Sequence, residues 1–332
     1  MHHARIPLVI ILACPIPSMP TISPPPRLVI ASRESRLALA QSEMMAQRLR
    51  ALYPGMTVEI LGMTTRGDQI LDRPLAEVGG KGLFIKELEV ALQEGRADIA
   101  VHSMKDMPSA LTTGFGMIVV GEREDPCDAF VSSRHAALAE LPPGTIVGTS
   151  SLRRECQLRI RHPHLTIRSL RGNVETRLRK LDQGDYDAII LASAGLCRLG
   201  LGNRIRARLA TEEMLPAIGQ GALAIEFASG RDDIAALLQP LTRAEVTAAV
   251  TAERALGAKL LGSCDVPLAG HANVDAGRLH LRGFIGMPDG SRHLHDEIHG
   301  AQQDAAALGE ALGERLLQMG ASSILDSLAL RP

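Results

Sequence analysis

The chain has no tryptophan, and aromatic residues make up only 2% of its 332 positions. So sparse a set argues against base-stacking platforms and aromatic sugar sites. Lysine is scarce too, occurring only at 81, 86, 105, 180 and 259, so arginine carries most of the positive charge. No sign of charge prevails: the net charge is -1. A chain so balanced has no global field to draw it to nucleic acid or an anionic membrane, and neither is expected as a partner. The five cysteines (14, 127, 156, 197 and 264) contain no CxxC pair, and their number is odd. That excludes a disulfide framework or a zinc ribbon and points to a reducing compartment, the cytoplasm. The eleven histidines form no HExxH or similar ligand pattern. His162 and His164 flank a proline, and His293, His295 and His299 sit in a polar stretch; all five read as solvated. A Walker A loop is missing as well. Gly79-Gly80-Lys81-Gly82 precedes a helix and could cradle an anion, but it lacks the required spacing and the Lys-Ser/Thr pair.

Long apolar runs are also lacking. The stretch Ile6 to Cys14 follows a short basic start and resembles a signal h-region, yet it is too short to span a bilayer. The alternative, favoured because the rest of the chain reads as cytoplasmic, is an over-called start with initiation at Met19. Pro24-Pro25-Pro26 then ends a leader, residues 1–24, expected to be disordered or untranslated.

What is present is an ordinary soluble composition, 45% hydrophobic and 22% charged, in a chain long enough for two or three domains. Past the leader, strand and helix alternate. Arg27–Ala31, Val58–Met63 and Asp98–His102 read as strands; Ser35–Leu52 and Gly82–Glu94 read as helices. This rhythm predicts an α/β domain with a mostly parallel sheet. The charged, proline-ended segment 121–126 reads as a crossover. Beyond it the rhythm repeats, with strands at 145–148, 166–169 and 187–192 and helices at 152–160 and 174–181. A second Pro/Gly connection lies at 215–221. Two α/β domains joined by two crossovers predict a hinged cleft. The expected division is 25–121 with 222–239, then 127–215, then a smaller α+β domain over 244–332. In that last part a helix from Thr242 leads to Cys264, and Leu279–Ile285 alternates like an antiparallel strand.

Three constellations bear on chemistry. The first is a thiol: Leu256, Leu260 and Leu261 keep helical spacing, Gly262 can close the helix, and Cys264 follows on a loop before Pro267. Such a loop suits a covalent attachment point; the alternative is a small buried hydrophobe. The second is cationic: between Thr149 and Leu181 there are eight Arg and one Lys against two Glu. Ser150-Ser151 can cap a helix whose first turn holds Arg153 and Arg154. Arg171-Gly172-Asn173, with Arg177 one turn on, repeats the arrangement. Arginines at a helix N-terminus oppose its dipole, so the pattern suggests a bound anion; the alternative is a solvated basic face. The gathered like charges lead us to expect a free cleft that is strained and mobile. The third is the strand end Val101-His102-Ser103-Met104-Lys105-Asp106-Met107-Pro108. Its carboxylate could stabilise a cationic N–H intermediate, or could be a simple turn aspartate. Together they describe a hinged, arginine-rich cleft for a polycarboxylate or phosphate ligand.

These residues also carry a resemblance. Ser32-Arg33-Glu34-Ser35, Gly79 to Phe84, Val101 to Pro108, Gly148 to Arg154, Leu170 to Asn173 and the Cys264 loop, in this order, resemble the hydroxymethylbilane synthase (porphobilinogen deaminase) family. The resemblance implies three domains, the first two similar to periplasmic binding proteins, in a cytoplasmic monomer. It implies a transferase of tetrapyrrole biosynthesis: four porphobilinogen units are condensed with loss of ammonia onto a dipyrromethane cofactor held by a thioether to Cys264. Hydrolysis then frees hydroxymethylbilane. Asp106 would stabilise positive charge on pyrrole nitrogens. Arg33, Ser35, Arg153, Arg154, Arg171, Arg177 and Arg198 would hold acetate and propionate groups. Lys81, Ser103, Lys105, Thr149 and Ser151 would complete the anion site, and Phe84, Asn173 and Gln220 would line the pocket. No metal is implied. Glu77 and Ser263 depart from the family pattern of Lys and Gly. The competing expectation is a cytoplasmic binding protein for a polycarboxylate, with the same cleft and no chemistry.

Overall fold

The structure, a computed structural model, describes residues 23–69, 83–260 and 266–329. The leader up to residue 22, Glu77, Lys81, Ser263 and Cys264 lie outside them. In chain order, β1 (Arg27–Arg33), α1 (Arg36–Leu52), β2 (Thr57–Met63), α2 (Arg66–Gln69), α3 (Lys86–Gln93), β3 (Ile99–Ser103) and β4 (Phe115–Val120) form most of the first domain. The second holds β5 (Asp128–Val131), β6 (Ile146–Gly148), α4 (Leu152–Arg161), β7 (Thr166–Arg168), α5 (Val174–Asp182), β8 (Ala188–Ala192), α6 (Ser193–Arg198) and β9 (Ala207–Leu209). The chain then returns to the first domain with β10 (Leu223–Ala228) and α7 (Asp232–Leu238). The third is α8 (Ala244–Lys259), β11 (Leu268–Asp275), β12 (Arg278–Gly286), β13 (His293–Ala301), α9 (Ala305–Leu316) and α10 (Ser322–Ala329).

The two five-stranded sheets share one plan, β2-β1-β3-β10-β4 and β7-β6-β8-β5-β9. In each, three neighbouring strands pair parallel, as the alternation predicted, and the helical crossovers between them permit that direction. The sheets are mostly parallel, as expected, with one reversed strand in each that the sequence did not announce. β10 lies antiparallel to both β3 and β4, and β5 antiparallel to both β8 and β9. Each of these strands is chain that has just crossed from the other domain. It enters at the hinge end, where the parallel strands finish, so it runs back against them.

Each sheet buries apolar side chains on both faces. In the first, Leu28, Ile30, Met45 and Leu49 pack with Ile234 and Leu237 on one side, while Val29, Ala31, Leu88 and Leu92 pack on the other. Helix α8 faces two ways: Ala252 and Leu256 enter the core of the third domain, and Val250 packs against Met104 and Met107 of the first. An apolar helix without a single stripe is what two burying neighbours require.

The third domain is fastened to both crossovers through one buried carboxylate. Glu253 accepts from Arg123 at 2.6 Å and from the backbone N–H groups of Gly219 at 2.6 Å and Ala272 at 2.7 Å. Arg123 also donates to the Gln220 carbonyl at 2.9 Å. The charge is therefore paired and its lone pairs filled, as a fully buried carboxylate needs.

Candidate active site

Asp106 ends a 3-10 turn, Met104–Asp106, that closes β3 at the sheet's carboxyl edge. The turn is wedged against the second crossover: Met104 N–H donates to the Ala222 carbonyl at 3.0 Å. Gly219, at φ +71, passes so close that a Cβ would lie 2.3 Å from Met104 Cγ, so only glycine fits there. Arg254 of α8 holds the same turn from behind, donating to the Ser109 carbonyl at 2.9 Å. Burial pushes this guanidinium down to about 10. Asp106 itself is exposed and, among the described residues, makes no hydrogen bond or ion pair. The charges of Lys105 and Arg177 act on it.

Five of the residues singled out in the sequence, Arg33, Ser35, Phe84, Ser103 and Asp106, line one cavity in the first domain. Gln41 and His102 join them; His102 stood inside the strand-end motif without a role assigned to it, and nothing in the local sequence marked Gln41. Gln41 is buried on α1 and donates to Ser103 Oγ at 2.9 Å. His102 lies 3.2 Å from Glu226 of β10, both buried. Ser35 caps α1, its Oγ accepting from Ala38 N–H at 3.4 Å. Arg33 stacks its guanidinium 4.2 Å from the centre of the Phe84 ring and is ion-paired to Asp68, which Thr65 also bonds at 2.6 Å. Burial alone would raise the Asp68 carboxyl; the bonds from Arg33 and Thr65 more than reverse this and hold it below the usual range. Arg33 thus already carries an internal carboxylate.

Across the cleft, Ser151 caps α4 and Asn173 caps α5, as the sequence indicated. Thr149 Oγ1 accepts from Ser151 N–H at 3.1 Å. Gly172 turns into α5 at φ +113, a conformation that disfavours a side chain. Arg36, at the start of α1, reaches Glu175 in the first turn of α5 at 3.6 Å, so the two helix starts meet over the cleft.

The expectation of two uncompensated arginines at α4 is overturned. Arg153 and Arg154 are each only 5% exposed and converge on Asp128, which is completely buried. Arg153 Nη1 lies 2.8 Å from Oδ2, and Arg154 donates to Oδ1 from Nη2 at 2.8 Å and Nε at 3.1 Å. Arg153 Nη1 also donates to the Leu215 carbonyl at 2.7 Å, and Arg154 Nη1 donates to the Ile190 carbonyl at 2.9 Å. Burial would raise the Asp128 carboxyl, but the two guanidiniums hold it far below the usual range. The free cleft therefore does not suffer the repulsion expected there. Gln220, expected in the pocket, is also buried at the hinge, where it donates to Asp128 at 2.9 Å and the Pro126 carbonyl at 2.7 Å. Arg198 likewise donates to the Gly221 carbonyl at 2.6 Å, so it braces the second crossover. One donor of this group stays open: Arg153 Nε is buried without a partner among the described residues.

Arg171 and Arg177, at α5, differ. Among the described residues neither has a carboxylate partner. Arg177 spends one donor on the Gly172 carbonyl at 2.7 Å. Burial pushes it down to about 10, and the charges of Arg154 and Arg171 act in the same direction. Lys105, half-buried between Asp106 and the Asp128 cluster, is pushed down to about 8, chiefly by its withdrawal from water. Its neighbours partly cancel, since Asp106 and Asp128 favour the charge and Arg154 and Arg153 oppose it. An anion entering here would meet three cations whose charges lack full compensation.

Residues 28–236 match the family model described as porphobilinogen deaminase, dipyromethane cofactor binding domain, and residues 247–318 match the porphobilinogen deaminase C-terminal domain. The chain is 60% identical to the porphobilinogen deaminase of Thiobacillus denitrificans, over 91% of this chain and 98% of that one. It is 55% identical to the protein of the same name from Laribacter hongkongensis, again over 91% and 98%. Among solved structures, the periplasmic VFT2 domain of Bordetella pertussis BvgS matches at a TM-score of 0.40 and 18% identity, covering 64% of this chain and 85% of that one. No helix among the described residues is long and apolar enough to cross a membrane.

Proposed function

This chain belongs to the porphobilinogen deaminase family, and we propose how its residues divide the work of that activity. The reaction is a stepwise head-to-tail condensation of porphobilinogen onto an enzyme-bound dipyrromethane, with ammonia released at each addition and hydroxymethylbilane freed by hydrolysis. It belongs to tetrapyrrole biosynthesis. The competing idea of a binding protein without chemistry has no support among the relatives, which are named as deaminases.

The observation that carries the residue assignment is Asp106. It is an exposed carboxylate without a hydrogen bond among the described residues, at the edge of a cavity whose other walls offer Arg33, Ser35 and Ser103. Loss of ammonia from porphobilinogen breaks a C–N bond and leaves positive charge shared with the pyrrole nitrogen. A carboxylate facing that N–H stabilises the charge where it develops and can take up the proton released when the new C–C bond restores the ring. Its lack of an internal partner leaves it free for this. Arg171, Arg177 and Lys105 would hold the acetate and propionate groups of substrate and cofactor, with Lys81 added from outside the described residues. Arg33 would contribute by exchanging Asp68 for a ligand carboxylate.

The donor set fits a dipyrromethane: several cations short of carboxylates, and the open Nε of Arg153, suit a ligand with a carboxylate on each arm. The cofactor supplies the primer end on which each unit is added, and Cys264 would be its tether. Arg153 and Arg154 would act mainly through Asp128, setting the angle between the domains. We divide the chain at residues 25–121 with 222–239, 127–215 and 244–332, and read it as a cytoplasmic monomer.

Intact mass together with turnover tests the assignment. Purified active protein should exceed the bare chain by two linked pyrroles, and Cys264→Ser should carry none. Asp106→Asn should stay folded, keep its adduct and lose on the order of a hundredfold or more in turnover. An adduct retained by Cys264→Ser, or near-normal turnover of Asp106→Asn, would remove that residue from its role.

A further inference from the structure

The third domain carries a group of side chains that the cleft does not use. β12 and β13 pair antiparallel, with His280 directly opposite His299 and Arg282 directly opposite Glu297. Residues two apart on a strand share a face, so all four project from the same side of the sheet. The rings of His280 and His299 stack with centroids 4.0 Å apart and planes 14° from parallel. His280 Nε2 lies 2.9 Å from Glu297 Oε2. One potential ligand atom from each of His280, Glu297 and His299 lies within 4.8 Å of the other two.

The company of Glu297 is informative. Its cross-strand neighbour Arg282 is the natural partner for its carboxylate, but that guanidinium turns to the second domain, where it bonds Glu212 at 2.7 Å and Thr211. Glu297 is left to the imidazoles. The result is two histidines and one carboxylate held on adjacent strands, with the cation that would compete for the carboxylate tied elsewhere.

We propose that His280, Glu297 and His299 form a binding site for a divalent transition-metal ion of the zinc type. Two imidazole nitrogens and one carboxylate oxygen are the donor set that zinc, copper and nickel favour, whereas calcium and magnesium prefer all-oxygen shells. At zinc bond lengths of about 2.0–2.2 Å, ligand atoms on one ion stand about 3.0–3.5 Å apart. To share one ion the two rings, now stacked nearly parallel, must tilt toward a common point, and Glu297 and His299 are exposed. The ion would take the place of the hydrogen between His280 Nε2 and Glu297, with water filling its remaining positions. It would clamp β13, the edge strand, to β12. None of the three residues lines the cleft or joins the hinge network, so the site is independent of the catalytic assignment.

Zinc titration calorimetry on the full-length holo-protein, stripped of metal beforehand, tests this. One ion per chain is expected, with affinity falling at least about tenfold in His280→Ala and in His299→Ala, and less in Glu297→Gln. His293→Ala/His295→Ala, on the same strand, should bind as wild type does. With copper(II) as a second probe, electron paramagnetic resonance of the unmodified protein should show nitrogen coupling from two imidazoles. Turnover should be unchanged in every variant. Binding that persists in His280→Ala and His299→Ala, or that is lost equally in the His293/His295 variant, or a copper spectrum without two nitrogens, overturns the proposal.

Discussion

Helices α4 and α5 begin alike and end up in different roles. Both lie in the second domain, both are capped by a small polar residue, and both gather arginines near their first turn. At α4 the pair is buried and shares Asp128. At α5 neither Arg171 nor Arg177 has a carboxylate partner among the described residues. One internal carboxylate therefore separates a pair of arginines with a shared counter-charge from a pair without one. Asp128 belongs to the strand that enters the second domain from the first crossover, and the carbonyl of Leu215, which Arg153 bonds, belongs to the second. The α4 arginines thus tie both crossovers together, while those at α5 stay available to whatever enters the cleft.

Removing the carboxylate is the severest way to break this contrast. Asp128→Asn should destabilise the protein by about 3–5 kcal/mol, because it leaves two buried guanidiniums without their counter-charge. Activity should fall with folding, and a shifted denaturation midpoint would record it. A variant as stable as wild type would show that the α4 arginines do not depend on Asp128. The pH response should agree. A carboxyl held below its unfolded value stabilises the fold fully above that value, about 4, and loses this progressively as pH falls from there through the lower folded value. Since the Asp128 carboxyl is held so low, its contribution should persist in mild acid.

The opposite result is expected at α5. Arg177→Leu should cost roughly ten- to a hundredfold in turnover, the weight of one charged hydrogen-bond partner, with little change in melting temperature. Native mass spectrometry after limited substrate should then show chains stalled part-way through elongation. Normal elongation, or a loss of activity that only tracks unfolding, would make α5 a structural copy of α4.

A smaller effect should separate Lys105 from both pairs. Its ammonium is pushed down to about 8, so in the free enzyme it discharges as pH rises through that value. The apparent KM for porphobilinogen should climb a few-fold above that pH, and Lys105→Arg, which stays charged, should flatten the climb. A wild-type KM that stays level across that range would take Lys105 out of anion binding.

The least change should come from Asp68→Asn. The Arg33–Asp68 pair resembles that at Asp128 in kind, but its side chains are 21% and 23% exposed. Water can replace the lost partner, so the stability change should stay within about 1 kcal/mol. A cost as large as that of Asp128→Asn would mean that Arg33 is held for the fold rather than for a ligand.

The caps at α4 and α5 were legible because they are local: Ser151 and Asn173 each bond an N–H three residues ahead. So was the position of Asp106, since a strand followed by a tight turn before proline places it at the sheet edge. The antiparallel strands β5 and β10 were not, because a short apolar run carries no mark of its direction or neighbours. Nor was the fate of the arginines. Asp128 stands 26 positions before Arg154 and Gln220 a further 66 positions on, and no spacing rule links such positions.

By itself, then, the sequence determined the strand–helix alternation that opens each α/β domain, the starts of α4 and α5, the turn bearing Asp106 and the family motifs. Each depends on residues within a turn or two of one another, or on short patterns that stay contiguous. Only the tertiary structure decided which arginines have counter-charges, that Gln41 and His102 join the cavity, and that two histidines from neighbouring strands stack beside Glu297. These are matters of burial and of distance between parts of the chain far apart in sequence, and side chains acquire both only once the sheets and the hinge have brought those parts together.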